Sequence, residues 1–118
     1  MPTTVLIVDD HATFRASARL LLESEGFEVV GEAADGGSAI EQSTSLAPDL
    51  ILLDVQLPDI DGFEVASRVT QTDGAPAVIL ISSRDGGDFG PMVKASGARG
   101  FVSKADLSGE SLRALLDG

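Results

Sequence analysis

The sequence predicts an α/β fold in which one five-stranded parallel sheet carries helices on both faces. Three observations predict it. Five short apolar runs, Val5–Val8, Phe27–Val30, Leu50–Leu53, Val78–Ile81 and Phe101–Val102, punctuate the 118 residues. Four of these runs are β-branched or Leu-rich without strict alternation, which is how strands covered on both faces read. The segments between them carry apolar residues at helical spacing, and regular alternation of strand and helix implies right-handed crossovers within one α/β domain, residues 1–118.

Each element has its own signal. After the first strand, Phe14, Ala18, Leu21 and Leu22 recur at i, i+4, i+7 and i+8, and this helix stops at Gly26, where a cap of positive φ is expected. Strand two leads into Gly31–Glu32–Ala33. The faintest helix is Ser38–Ala47, whose only strong apolar anchors are Ile40 and Leu46. Strand three ends at Asp54, and the next helix runs over Gly62–Val69 with Phe63, Ala66 and Val69 inward. Strand four is followed by SSRDGGDFGP, Ser82–Pro91, which holds three of the 13 glycines between Gly86 and Gly90. A helix there can hardly start before Pro91, so the sequence predicts a long mobile loop and a helical stub over Pro91–Ser96, closed by Gly97. Leu112, Leu115 and Leu116 mark the last helix.

Composition narrows the function. Apolar residues make up 43% of the chain, enough for a buried core. With 8 basic and 19 acidic residues the net charge is −11, so a phosphate backbone is repelled and direct nucleic-acid binding by this chain is not expected. The absence of Cys excludes disulfides and thiolate metal sites, and one His excludes a multi-histidine site. A metal here would be a hard cation on oxygen ligands. The start lacks the basic head and cleavage site of a signal peptide, and no run approaches a membrane span of roughly 20 apolar residues. The expectation is a cytoplasmic protein without membrane contact.

Ligands of open α/β sheets bind outside the carboxyl ends of the strands, at the switch point of strand order. In the order 2-1-3-4-5, the strand ends bring Asp9, Asp10, Asp54, Ser82 and Lys104 to one rim. Two carboxylates about 4 Å apart repel by on the order of 4 kcal/mol at an effective dielectric of 20, so three need a cation or protons. Few, charged oxygen ligands suit Mg²⁺, with Mn²⁺ possible, and both accept a phosphate oxygen as a further ligand. An ammonium and a hydroxyl beside them suit phosphoryl transfer, which depends on positioning and charge neutralisation. Singly these residues have plainer readings: Asp9–Asp10 as a helix cap and dipole partner, Asp54 as a turn residue, with Ser82 and Lys104 each a weak signal alone. Their joint placement argues against that. His11 reads as a surface or capping residue.

VLIVDDH at 5–11, PDLILLDVQLPDIDG at 48–62, LIS at 80–82 and GARGFVSK at 97–104 together resemble the receiver domain of two-component response regulators, from Thr4 to about Leu116. VDDH and GARGF resemble most the subfamily that often carries a C-terminal helix-turn-helix. The resemblance implies a flavodoxin-like (βα)5 fold, with Asp54 as phosphoacceptor for a phosphohistidine. It implies Mg²⁺ bound by Asp10, Asp54 and the backbone carbonyl of Gln56, with Asp9 acting through water. It also implies Lys104 on the phosphoryl group, Ser82 as the switch hydroxyl and Phe101 at the aromatic switch position. Where many members have a cis proline after the lysine, this chain has Ala105.

The implied partner is a sensor histidine kinase or phosphotransfer protein, docking near the rim and the first helix, where Phe14 offers an apolar contact. The fourth helix, fifth strand and fifth helix form the implied output face, with a possible phosphorylation-dependent homodimer. Such a protein is a signalling switch with slow autodephosphorylation rather than an enzyme, and any DNA-binding part is expected outside these residues. Two alternatives remain at this point. A phosphatase of the haloacid dehalogenase type would want Asp-x-Asp after strand one, whereas Asp9 and Asp10 are adjacent. An FMN-binding flavodoxin-like module would want a Ser/Thr/Gly-rich phosphate loop where DDHATF stands.

Overall fold

The computed structural model describes residues 2–83 and 89–117. Five strands, β1 (Thr4–Val8), β2 (Glu28–Ala33), β3 (Leu50–Asp54), β4 (Ala77–Ser82) and β5 (Gly100–Ser103), form one parallel sheet in the order β2-β1-β3-β4-β5. Helices α1 (Ala12–Ser24) and α5 (Gly109–Asp117) cover one face, where Ala18, Leu22 and Leu112 pack on Val5, Ile7, Leu52 and Ile79. Helices α2 (Gly36–Leu46), α3 (Gly62–Thr70) and α4 (Gly90–Ala95) cover the other, where Ala39, Val65, Val69 and Val93 pack on Leu6, Val8, Leu53 and Leu80. The predicted doubly wound α/β fold is what the chain forms. Burial on both faces explains the unalternated runs: Val5 to Val8 and Leu50 to Leu53 are all fully buried.

The termini of the helices follow their sequence signals. Gly26 has φ +92° after α1, and Gly97 has φ +83° after α4. Asp61 caps α3 by accepting from the Glu64 amide, and Asp35 caps α2 by accepting from the Ser38 amide. The faint second helix keeps one of its two anchors, Ile40, which is half-buried against the core. Leu46 is 41% exposed, and the inner face is otherwise built from the buried Gly36 and Ala39. Small residues bring the backbone close: a Cβ on Gly36 would stand 2.4 Å from Ile60 Cγ1.

Helix α4 begins one residue before the expected Pro91. The loop expected between Ser82 and Pro91 falls largely on residues 84–88, outside those described. A single 3-10 turn, Lys104–Asp106, follows β5, a feature no periodicity announced. No peptide bond among the described residues is cis, so Lys104–Ala105 is trans.

Register sets the site. Val8 pairs with Leu53, so the residues that follow, Asp9 and Asp54, emerge side by side. Asp54 pairs in turn with Ile81, and Ser82 with Ser103. The carboxyl ends of β1, β3, β4 and β5 therefore share one edge, with Lys104 one residue beyond β5.

Candidate functional site

A cleft of about 150 Å³ opens at that edge, lined by Asp10, His11, Asp54, Gln56, Ser83 and Lys104 among others. Asp9 is fully buried beneath it and Asp54 nearly so. Lys104 Nζ lies 2.6 Å from Asp9 Oδ2 and 3.0 Å from Asp54 Oδ2. The contact with Asp9 is a close ion pair, and among the described residues Oδ2 has no other partner. Asp54 Oδ1 accepts the Gln56 amide at 3.0 Å. Asp9 Oδ1 accepts the His11 amide at 2.8 Å.

The carboxyls do not behave alike. Burial pushes Asp54 above the ordinary carboxylate range, and the neighbouring Asp9 carboxyl adds to this against the Gln56 amide and Lys104. Burial also opposes the charge on Asp9, yet Lys104 and the His11 amide outweigh it and hold Asp9 below its ordinary value. Burial disfavours the Lys104 ammonium, but the two carboxylates prevail and raise its pKa. Lys104 Nζ also stands 4.3 Å from the centroid of the Phe14 ring, a cation–π contact that steadies the ammonium from the side of α1.

One ligand atom from each of Asp9, Asp10, His11 and Asp54 lies within 4.8 Å of the others. Charged oxygen donors, two of them on buried carboxylates, fit a hard divalent cation. The edge thus brings together Asp9, Asp10, Asp54, Gln56 and Lys104. Ser82 is buried at the end of β4, and it is the exposed Ser83 that lines the cleft. Phe101 lies on the opposite face from Asp54, half-buried, with its ring centroid 5.6 Å from Phe89, itself 5.7 Å from Phe63.

Three residues near the site have partners that the sequence did not announce. His11 occupies the first position before α1, but its side chain makes no capping bond and turns to the carboxylates instead. Phe14, expected as a docking contact, is half-buried, and its ring also meets Lys104. Asp59 accepts the Gly36 and Gly37 amides at 2.8 and 2.9 Å, tying the loop after β3 to the start of α2. The Gly36–Gly37 pair at a helix start was the available signal, since unencumbered amides attract a carboxylate.

A doubly wound five-stranded sheet with an acidic, lysine-bearing cleft at its carboxyl edge is a class of fold and site shared by many proteins. Residues 5–117 match the response regulator receiver domain, and the chain belongs to that family. The transcription regulator BvgA of Bordetella pertussis is 37% identical over 115 residues, covering 97% of this chain and 54% of that protein. The chain thus spans about half the length of the curated relatives it matches. A two-component response regulator of the LuxR family from Aurantimonas sp. SI85-9A1 aligns with a TM-score of 0.88 at 31% identity, over 99% of this chain and 84% of that one. A chain of the CheX-CheY-BeF3-Mg+2 complex from Borrelia burgdorferi aligns with a TM-score of 0.85 at 28% identity, over 98% and 87% respectively. The chain is a response regulator receiver domain homologous to transcriptional regulators, and the phosphatase and flavin alternatives are not favoured. No helix among the described residues is long and apolar enough to cross a membrane.

Proposed function

We propose that residues 1–118 act as one phosphorylation switch whose phosphoacceptor is Asp54. The observation that carries the reading is the setting of this carboxylate, buried at the end of β3 with Lys104 Nζ 3.0 Å away. An Asp54 oxygen attacks phosphorus, the P–N bond of a kinase or phosphotransfer-protein phosphohistidine breaks, and its electron pair returns to the imidazole. Asp10, Asp54 and the Gln56 carbonyl, near Asp9, would hold Mg²⁺, or Mn²⁺ in its place, and the ion would supply neutralisation of charge on the transferred oxygens. The presence of BeF3 and Mg²⁺ in the Borrelia complex supports this assignment.

Lys104 then meets one new oxygen and Ser82 donates to another, and charge-assisted bonds of this kind draw Ser82 toward the site. Phe101 turns inward in response and moves Phe89 at the start of α4, changing the α4–β5–α5 face and, on this reading, a homodimer contact. Water later hydrolyses the acyl phosphate slowly, beside Gln56. The net charge of −11 supports the view that DNA contact, named for the relative EvgA, is not made by these residues.

Intact-mass measurement after incubation with acetyl phosphate tests the reading. With Mg²⁺ the wild type gains one phosphoryl group and Asp54→Asn gains none. A wild type with no Mg²⁺-dependent adduct overturns it.

A further inference from the structure

The imidazole of His11 has no role in helix α1, although its position is that of a cap. Its side chain makes no capping hydrogen bond. It folds back across the start of the helix, placing Nδ1 3.1 Å from Asp9 Oδ1 and 3.1 Å from Asp10 Oδ1. Adjacent donors around an octahedral ion with bonds near 2.1 Å stand about 3.0 Å apart. The nitrogen therefore sits at the edge length of a coordination shell from Asp10, and one ligand atom from Asp54 lies within 4.8 Å of both. The side chain is 70% exposed, so the ring can give up its hydrogen bond to Asp9 without disturbing the core.

We propose that His11 is a nitrogen ligand of the cation site and makes the cleft prefer a borderline first-row divalent ion, from Mn²⁺ to Zn²⁺, over Mg²⁺. This rests on the reading of the acidic cleft as the receiver's cation site and adds a donor to it. Mg²⁺ is a hard ion that favours oxygen, whereas imidazole suits first-row transition ions, whose affinity climbs from Mn²⁺ to Cu²⁺ and falls back at Zn²⁺. One imidazole among three carboxylates is thus neutral toward Mg²⁺ and favourable toward the others. Ser83 and Gln56 at the same cleft leave its outer side polar.

The test uses the full chain and the metals alone. In Mn²⁺-loaded wild type, electron spin echo envelope modulation should show coupling to an imidazole ¹⁴N, and the coupling should vanish in His11→Ala and His11→Gln. By calorimetric titration, both variants should bind Mn²⁺ and Zn²⁺ about tenfold more weakly than wild type, with a much smaller change for Mg²⁺. Circular dichroism confirms that the variants are folded. Mn²⁺ that binds in competition with Mg²⁺ but shows no ¹⁴N coupling overturns the role of His11 and leaves the cation site standing. Failure of wild type to bind any of the three ions overturns both.

Discussion

Lys104 Nζ lies 3.0 Å from Asp54 Oδ2, joining the end of β5 to the end of β3 across 50 residues of sequence. The same ammonium stands 2.6 Å from the fully buried Asp9, so one cation answers two carboxylates. Removing it leaves those charges in a place that disfavours them. Lys104→Met should destabilise the fold at pH 7 by about 1–3 kcal/mol. The deficit should shrink as pH falls, because Asp54, whose pKa is raised, takes up a proton early and a neutral carboxyl needs no cation. Urea titrations of both proteins at pH 7 and pH 5 check this.

Asp59 holds the loop after β3 against α2 through the Gly36 and Gly37 amides. Those amides lower its pKa from 3.8 to about 2. A depressed carboxyl pKa contributes stability that is present above 3.8 and lost as pH falls through about 2. Asp59→Asn should therefore lower the urea midpoint at pH 6, and the gap to wild type should close between those two values. An equal gap at every pH would contradict the clamp.

Gly62 allows α3 to start directly against β3. A Cβ there would stand 2.2 Å from the Asp54 carbonyl oxygen and 2.7 Å from Val55 Cα, both backbone atoms that cannot swing aside. Gly62→Ala should cost about 1–3 kcal/mol. Gly90, where a Cβ would meet nothing within 4 Å among the described residues, serves as control, and Gly90→Ala should stay within about 0.5 kcal/mol of wild type. Equal losses in the two variants would refute the close approach.

Phe89 bridges Phe63 on α3 and Phe101 on β5 through tilted ring contacts. A double-mutant cycle with Phe89→Leu and Phe101→Leu should give a coupling of about 0.5–1.5 kcal/mol in stability. Strict additivity would mean that the rings touch without communicating.

The sheet was legible because strands buried on both faces, such as Leu50–Leu53, leave an unbroken apolar run that few other structures produce. The rim was legible for a related reason: topology alone delivers Asp9, Asp54 and Lys104 to one edge once the strand order is known. Less visible were features whose partners are distant in sequence or made of backbone. Helix α2 hid its inner face in Gly36 and Ala39, which carry almost no hydrophobic signal. Asp59 finds its partners 22 and 23 residues away, on amides that every residue type shares. His11, read as a surface or capping residue, is exposed at the cap position, and only the rotation of its side chain shows that it faces the carboxylates instead of capping α1. Ser82 and Ser83 are identical in type, and which one is buried depends on where β4 stops pairing.

The assignment of Asp54 is tested most directly by locating the acyl phosphate itself. Borohydride reduces an acyl phosphate to the alcohol, converting the phosphorylated aspartate to homoserine. After treatment with acetyl phosphate and Mg²⁺, then borohydride and proteolysis, peptide mass spectrometry should find homoserine at position 54 and aspartate at positions 9 and 10. Homoserine at either of those neighbours, with position 54 unchanged, would contradict the account.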